Sequence, residues 1–222
     1  HTMAGFRTFL QSGHTPTLFA AFFYLMFSFV IWVMNGAMAP FISEEFHLTP
    51  AQKGLLLSIP IVAGAIMRFP LGLLAQYVGR KTATLVELSL IAFTMAFGYF
   101  FVHSYDDLLK MALLLGVAGA SFGVAMSLGA GWYPPKYKGL AMGLVGAGNV
   151  GTAVAALIAP PLALRYGWQA VYGIAAVSTL VSNPLTYGPL YYFAYRLGAG
   201  VIGTRTPADL TADDVERPMR MI

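Results

Sequence analysis

The chain has 222 residues, 58% of them hydrophobic and only 10% charged, and its mean hydropathy is +0.69. That composition excludes a soluble globular domain and points to several membrane spans. Thirteen basic residues against nine acidic ones give a formal charge of +4. The basic residues stand in separate short loops between apolar stretches, so the charge reports topology in a lipid bilayer and offers no nucleic-acid surface. With no cysteine, disulfides, thiolate metal sites and cysteine nucleophiles are excluded. His1, His14, His47 and His103 are scattered over termini and loops, and neither a metal site nor another cofactor is expected.

Residues 1–17 read as an N-terminal tail or interfacial segment, and Leu18 to Phe41 as the first span. That span is too long and wrongly flanked for a cleaved signal peptide. Its aromatic residues, among them Phe22, Tyr24, Phe29 and Trp32, suit packing against neighbours or anchoring at the interface. Thr49-Pro50-Ala51-Gln52 supplies an N-cap and a proline at the first helical position for a second span, from about Lys53 to Val78.

The second span carries Arg68, roughly 15 residues from one end and roughly 10 from the other, too deep for its charge to reach either surface easily. Such a cation needs compensation. One answer is a bound anion, which is the preferred reading; the other is a structural bond to backbone carbonyls or to Glu87. Glu87, near the start of the third span, is better placed to meet Arg80 or Lys81 at the membrane edge. Pro60 and Pro70 remove helix hydrogen bonds and predict bends that suit a cavity-lining helix.

The third span is expected from about Thr84 to Phe101 and the fourth from about Leu108 to Gly131, the latter rich in glycine. The fifth, from Gly139 to Pro161, holds five glycines and Asn149. Gly143, Ala147, Gly151 and Ala155 recur every fourth residue and predict one close-packing face. Asn149 then falls near the opposite side, where an amide must look into protein or a watery cavity. A sixth span begins near Gln169. Because Trp168 to Gly198 exceeds one perpendicular span, Pro184 and Pro189 are expected to kink it or to end it before an interfacial helix.

This gives an N-terminal tail (1–17), a six-helix transmembrane domain (18–200) and a C-terminal tail (201–222) whose Asp209, Asp213, Asp214 and Glu216 form an acidic cluster. Nine Lys and Arg residues (Arg7, Arg80, Lys81, Lys136, Lys138, Arg196, Arg205, Arg217 and Arg220) fall on the side of both termini. Lys53, Lys110 and Arg165 fall on the other, so both termini are expected in the cytoplasm.

Four stretches carry a family likeness: Phe27 to Ile42, Pro50 to Pro60, Arg68-Phe-Pro-Leu-Gly-Leu-Leu-Ala75, and Gly143-Leu-Val-Gly-Ala-Gly-Asn-Val-Gly-Thr152. Together they resemble the N-terminal six-helix half of the nitrate/nitrite porters in the major facilitator superfamily, over about residues 18–177. The last stretch resembles that family's glycine-rich nitrate signature. Gly72 to Lys81 resembles the superfamily loop between helices two and three, with Gly72, Gly79, Arg80 and Lys81 in place. Gln76 and Tyr77 stand where that loop usually has Asp and Arg, which removes the charge relay that latches the inside gate. From about residue 181 the sequence leaves the porter pattern.

The resemblance implies an all-α polytopic membrane protein, a six-helix bundle like one half of a major facilitator transporter, in a bacterial inner membrane. It implies that Arg68 binds the anion, nitrate or nitrite, and that Asn149 approaches it. Gly146, Gly148 and Gly151 would let the fifth helix pack closely and slide. A guanidinium suits a planar oxyanion because its fork of donors meets two oxygens at once. Two functions follow: a half-size anion transporter working with a second half, from a copy of itself or a partner chain, or a non-transporting structural subunit of a larger membrane complex. An enzyme is not expected, because no nucleophile stands with a base and no cluster of acids and histidines shares a membrane face.

Overall fold

A computed structural model describes residues 2 to 187, excluding the side chains at 2–5, 80–81 and 180–187. Among the described residues there are helices and no strands. A short helix α1 (Thr2–Gln11) precedes α2 (Thr15–Trp32) and α3 (Met34–Glu45), which together make the first span. The second and third spans are α4 (Pro50–Tyr77) and α5 (Arg80–Phe100). The fourth is α6 (Tyr105–Gly119) followed by α7 (Ser121–Ala130). The fifth joins α8 (Pro135–Gly146), a 3-10 turn (Ala147–Val150) and α9 (Gly151–Tyr166); α10 (Trp168–Tyr187) is the sixth helix.

Among the described residues, the first five spans are long and apolar enough to cross a membrane, and α10 is a 20-residue helix. It runs past Pro184 to Tyr187, so the helix does not end at that proline; Pro189, the acidic cluster and the domain limits at 200–201 lie outside the described residues. The Thr49 capping box forms as the sequence suggests. The Thr49 hydroxyl oxygen accepts from the Gln52 N–H at 3.3 Å, and the Gln52 side-chain oxygen accepts from the Thr49 N–H at 2.9 Å. Ser104 caps α6 in the same manner, through the Asp107 N–H.

The last three spans repeat the plan of the first three. α4 packs along α6, the fifth span packs along α2, α2 and α7 meet at the centre, and α5 packs against α10. The turns that open the last helix of each set match: Gly79 before α5 and Gly167 before α10 both adopt φ 84°, ψ 153°, a conformation open only to glycine at ordinary cost. Burial follows the same plan. In the most apolar stretch of each span, 61% of residues are buried in the fourth but only 28% in the second and the fifth. Phe69 on α4 and Leu157 and Leu164 on α9 are about three-quarters exposed, so these two spans present apolar flanks outward.

At the N-terminal end, Phe9 of α1 is fully buried and stacks on Tyr133 at 4.8 Å between ring centroids, with Tyr137 edge-on at 5.7 Å. The segment before the first span is thus a helix docked on the connection between the fourth and fifth spans. His14 follows it, with Nδ1 2.7 Å from the Thr17 hydroxyl and its ring 5.1 Å from that of Trp132. Burial there pushes the His14 pKa below its ordinary value.

Candidate functional site

Arg68 sits in the third quarter of α4, between the two in-helix prolines Pro60 and Pro70. Its side chain is exposed and, among the described residues, meets no carboxylate. Among the described residues the only salt bridge joins Lys110 to Asp107. The Arg68 guanidinium carbon lies 5.7 Å from the centroid of the Phe122 ring on α7. Phe122 in turn lies 6.5 Å from Phe29 on α2, which meets Trp32 edge-on at 5.1 Å. Trp32 is itself fixed, its indole N–H donating to the Pro60 carbonyl at 3.0 Å. An aromatic relay from two spans, pinned to the second span at the Pro60 carbonyl, therefore backs the cation. A ring face attracts a guanidinium without using its N–H donors, which leaves them available to a planar oxyanion.

The alternative in which Arg68 pairs with Glu87 is not what the structure has. Glu87 is fully buried and accepts from the Tyr24 hydroxyl on α2, on the inner side of the bundle. The alternative partners Arg80 and Lys81 have side chains outside the described residues.

Asn149 lies in the 3-10 turn of the fifth span and is exposed, while its neighbours Gly148 and Gly151 are buried. The turn is pressed against α2: a β-carbon on Gly148 would stand 2.9 Å from the Phe22 carbonyl oxygen, and one on Gly151 only 2.1 Å from that of Met26. A β-carbon on Gly146 would stand 3.2 Å from the terminal methyl of Met126 on α7. Gly143 has open space around it, and Ala147 is exposed. The packed face is instead Ala141, Val145, Gly148, Gly151, Ala155, Ala159 and Ala163. The reason is the 3-10 turn. At three residues per turn each residue rotates by about 120° against about 100° in an α-helix, so four residues advance the face by about 80° and break the every-fourth pattern. No hydrogen bond joins the Arg68 and Asn149 side chains. They occupy the two spans that flank α2 and α7, Arg68 against α7 and the Asn149 turn against α2.

In the connection between the second and third spans, Gly72 has open space, Gln76 and Tyr77 are exposed, and Gly79 takes the left-handed conformation described above. No ion pair bridges this loop among the described residues. Two features escaped the sequence. Phe122 is one of sixteen phenylalanines and carries no motif, so only its position under Arg68 marks it. Tyr24 and Glu87 are 63 residues apart, and no local pattern links them.

This is a polytopic helical membrane bundle built from two similar three-helix sets, with a backed cation on one open flank and a glycine-packed turn on the other. The chain belongs to the Major Facilitator Superfamily, whose model matches residues 18–208. That match runs past residue 181, so the C-terminal departure expected from the porter pattern is not a departure from the superfamily. The chain is 33% identical over 145 residues to the "Probable nitrate transporter NarT" of Staphylococcus carnosus (strain TM300), which is 65% of this chain and 37% of that protein. It is equally similar, over 148 residues, to the protein of the same name in Staphylococcus aureus strains JH9 and Newman. The chain therefore spans little more than a third of the length of these relatives.

Proposed function

We propose that this chain is one six-helix half of an anion transporter of the nitrate or nitrite type, working with a second six-helix half across the flank formed by α4 and the fifth span. The observation that carries the reading is Arg68: a guanidinium deep in an apolar span, with no carboxylate partner among the described residues, aromatic on one side and open on the other. An anion satisfies it where hydrocarbon would not. Asn149, on the opposite wall, adds a neutral donor that raises selectivity without a second charge. Gly148 and Gly151 let the fifth span lie backbone to backbone on α2, a contact that bends and slides more readily than interlocked side chains. In this fold transport proceeds by rocking one half against the other around a midplane site, and Gly72 to Lys81 is the loop at the edge of that motion.

The chain is placed in a bacterial inner membrane with both termini in the cytoplasm, residues 18–200 forming the membrane domain and 201–222 a tail. Similarity to proteins named as probable nitrate transporters supports the substrate. Nitrate binding to the protein purified with its second half tests it: wild type binds and Arg68→Lys does not, while both remain folded. Undiminished binding by Arg68→Lys removes Arg68 from the site.

The uncharged, exposed Gln76 and Tyr77 favour a second reading, a structural subunit of a larger membrane complex, because neither side chain can form the ion pair that latches a gate. Purification in mild detergent separates the two: a second six-helix half supports transport, and a large assembly without one supports the structural role.

A further inference from the structure

Glu87 is a carboxyl group inside the third span with no exposed surface, and its partners are few. The Tyr24 hydroxyl donates to Oε2; Oε1 is buried and has no partner. No described cation lies within ion-pairing distance. An ionised carboxylate held by a single hydroxyl in a membrane interior carries a large desolvation cost, whereas the neutral acid does not. Glu87 is also not isolated. Ser28 follows Tyr24 by four residues on the same face of α2, and Asn35, just beyond the break at Val33, meets α10, the helix that packs against the α5 of Glu87. Ser28 and Asn35 are buried, and both the Ser28 Oγ and the Asn35 Nδ2 lack partners, while the Asn35 Oδ1 accepts from the Tyr172 hydroxyl on α10. Three of the unpartnered buried polar atoms in the described chain thus fall on one row between the first, third and sixth spans. The row runs along the face of α2 away from Phe22 and Met26, which meet the fifth span.

We propose that Glu87 is a proton-binding site inside the membrane, held as a neutral acid against Tyr24, and that the polar row along the first span is its route of exchange. Loading forms the O–H bond at Oε1, the oxygen that nothing else occupies. Release breaks that bond, leaves the electron pair on the carboxylate and passes the proton to water admitted along the row, while Tyr24 continues to donate to Oε2. On the transport reading above, on which this clause alone rests, the proton would sit on one side of α2 and the Asn149 turn of the anion site on the other, an arrangement in which one can influence the other through that helix.

Infrared difference spectroscopy of the purified full chain in lipid vesicles, without added anion, tests the proton site independently of transport. At neutral pH the wild type is expected to show a neutral-carboxyl carbonyl band that is lost in Glu87→Gln and shifts in heavy water. Tyr24→Phe, which keeps the acid and removes its donor, moves the band to higher frequency. Identical carbonyl regions in wild type and Glu87→Gln overturn the neutral acid, and a band unmoved by heavy water overturns the exchange route. Should Glu87→Gln fail to fold, a Tyr24→Phe band at the wild-type frequency overturns the assignment by itself.

Discussion

The second and fifth spans occupy matching places in the two three-helix sets, both mostly uncovered, yet they solve opposite problems. The second must carry a large charged side chain, and it does so on an unbroken 28-residue α-helix whose Arg68 reaches an aromatic ring on the neighbouring span. The fifth must bring its backbone against α2, and it does so with glycines and a 3-10 turn that rotates them inward while turning Asn149 out. In the first set the small residues are shared: a β-carbon on Gly116 of α6 would stand 2.4 Å from the Ala63 Cβ of α4, and one on Gly64 of α4 would stand 3.2 Å from the Gly116 carbonyl oxygen. Where a helix needs a long side chain on its open flank, it and its neighbour both supply small residues on the packed side. Where it needs a mobile contact, it supplies them itself.

Breaking the fifth-span contact should have the largest effect. Gly151→Leu places side-chain atoms on the Met26 carbonyl, which cannot move without its helix, and should cost about 3 kcal/mol or more or prevent folding. Thermal unfolding in detergent, followed by circular dichroism, measures it. Gly116→Leu should be comparable by the same assay, since Ala63 and the Gly64 backbone face it; a mild effect there would break the equivalence of the two sets. Arg68→Lys should leave the melting curve near that of wild type and abolish detectable nitrate binding, a loss of about a hundredfold or more that corresponds to roughly 3 kcal/mol of charge-assisted hydrogen bonding, read by calorimetry on the complete transporter.

Phe122→Leu sharpens the comparison from the other side. It keeps the bulk and removes the ring under the guanidinium, and a loss of about 1 kcal/mol, or roughly fivefold in nitrate affinity, is expected with the fold intact. Smallest is the pH response of the N-terminal helix. His14 has a folded pKa below its ordinary 6.5, so the unfolded chain binds more protons in that window. Its contribution is complete above about pH 6.5 and shrinks as pH falls towards the lowered value. Tryptophan fluorescence of Trp132 across pH 7 to 5 should report loosening of α1 that His14→Gln abolishes, and an unchanged response in His14→Gln would exclude His14.

Much of the fold was legible because it depends on local composition. Runs of apolar residues longer than the bilayer is thick, separated by Thr49-Pro50, Gly79 and Gly167, define the spans and turns wherever the rest of the chain lies. The chemistry of Arg68 was legible for the same reason, since a guanidinium in an apolar run is anomalous in any arrangement. The face of the fifth span was not. The every-fourth rule holds only for an uninterrupted α-helix, and the 3-10 turn at Ala147–Val150 forms where that helix is pressed onto α2.

The sequence by itself determined that this protein crosses a membrane in helices and carries one cation that hydrocarbon will not tolerate, because both follow from the transfer energies of residues close together in the chain. Only the tertiary structure decided that Phe122 backs that cation, that Gly148 and Gly151 rather than Gly143 make the close contact, and that Glu87 meets Tyr24. Those outcomes depend on distances between residues tens of positions apart, which are fixed when helices pack and by nothing written locally.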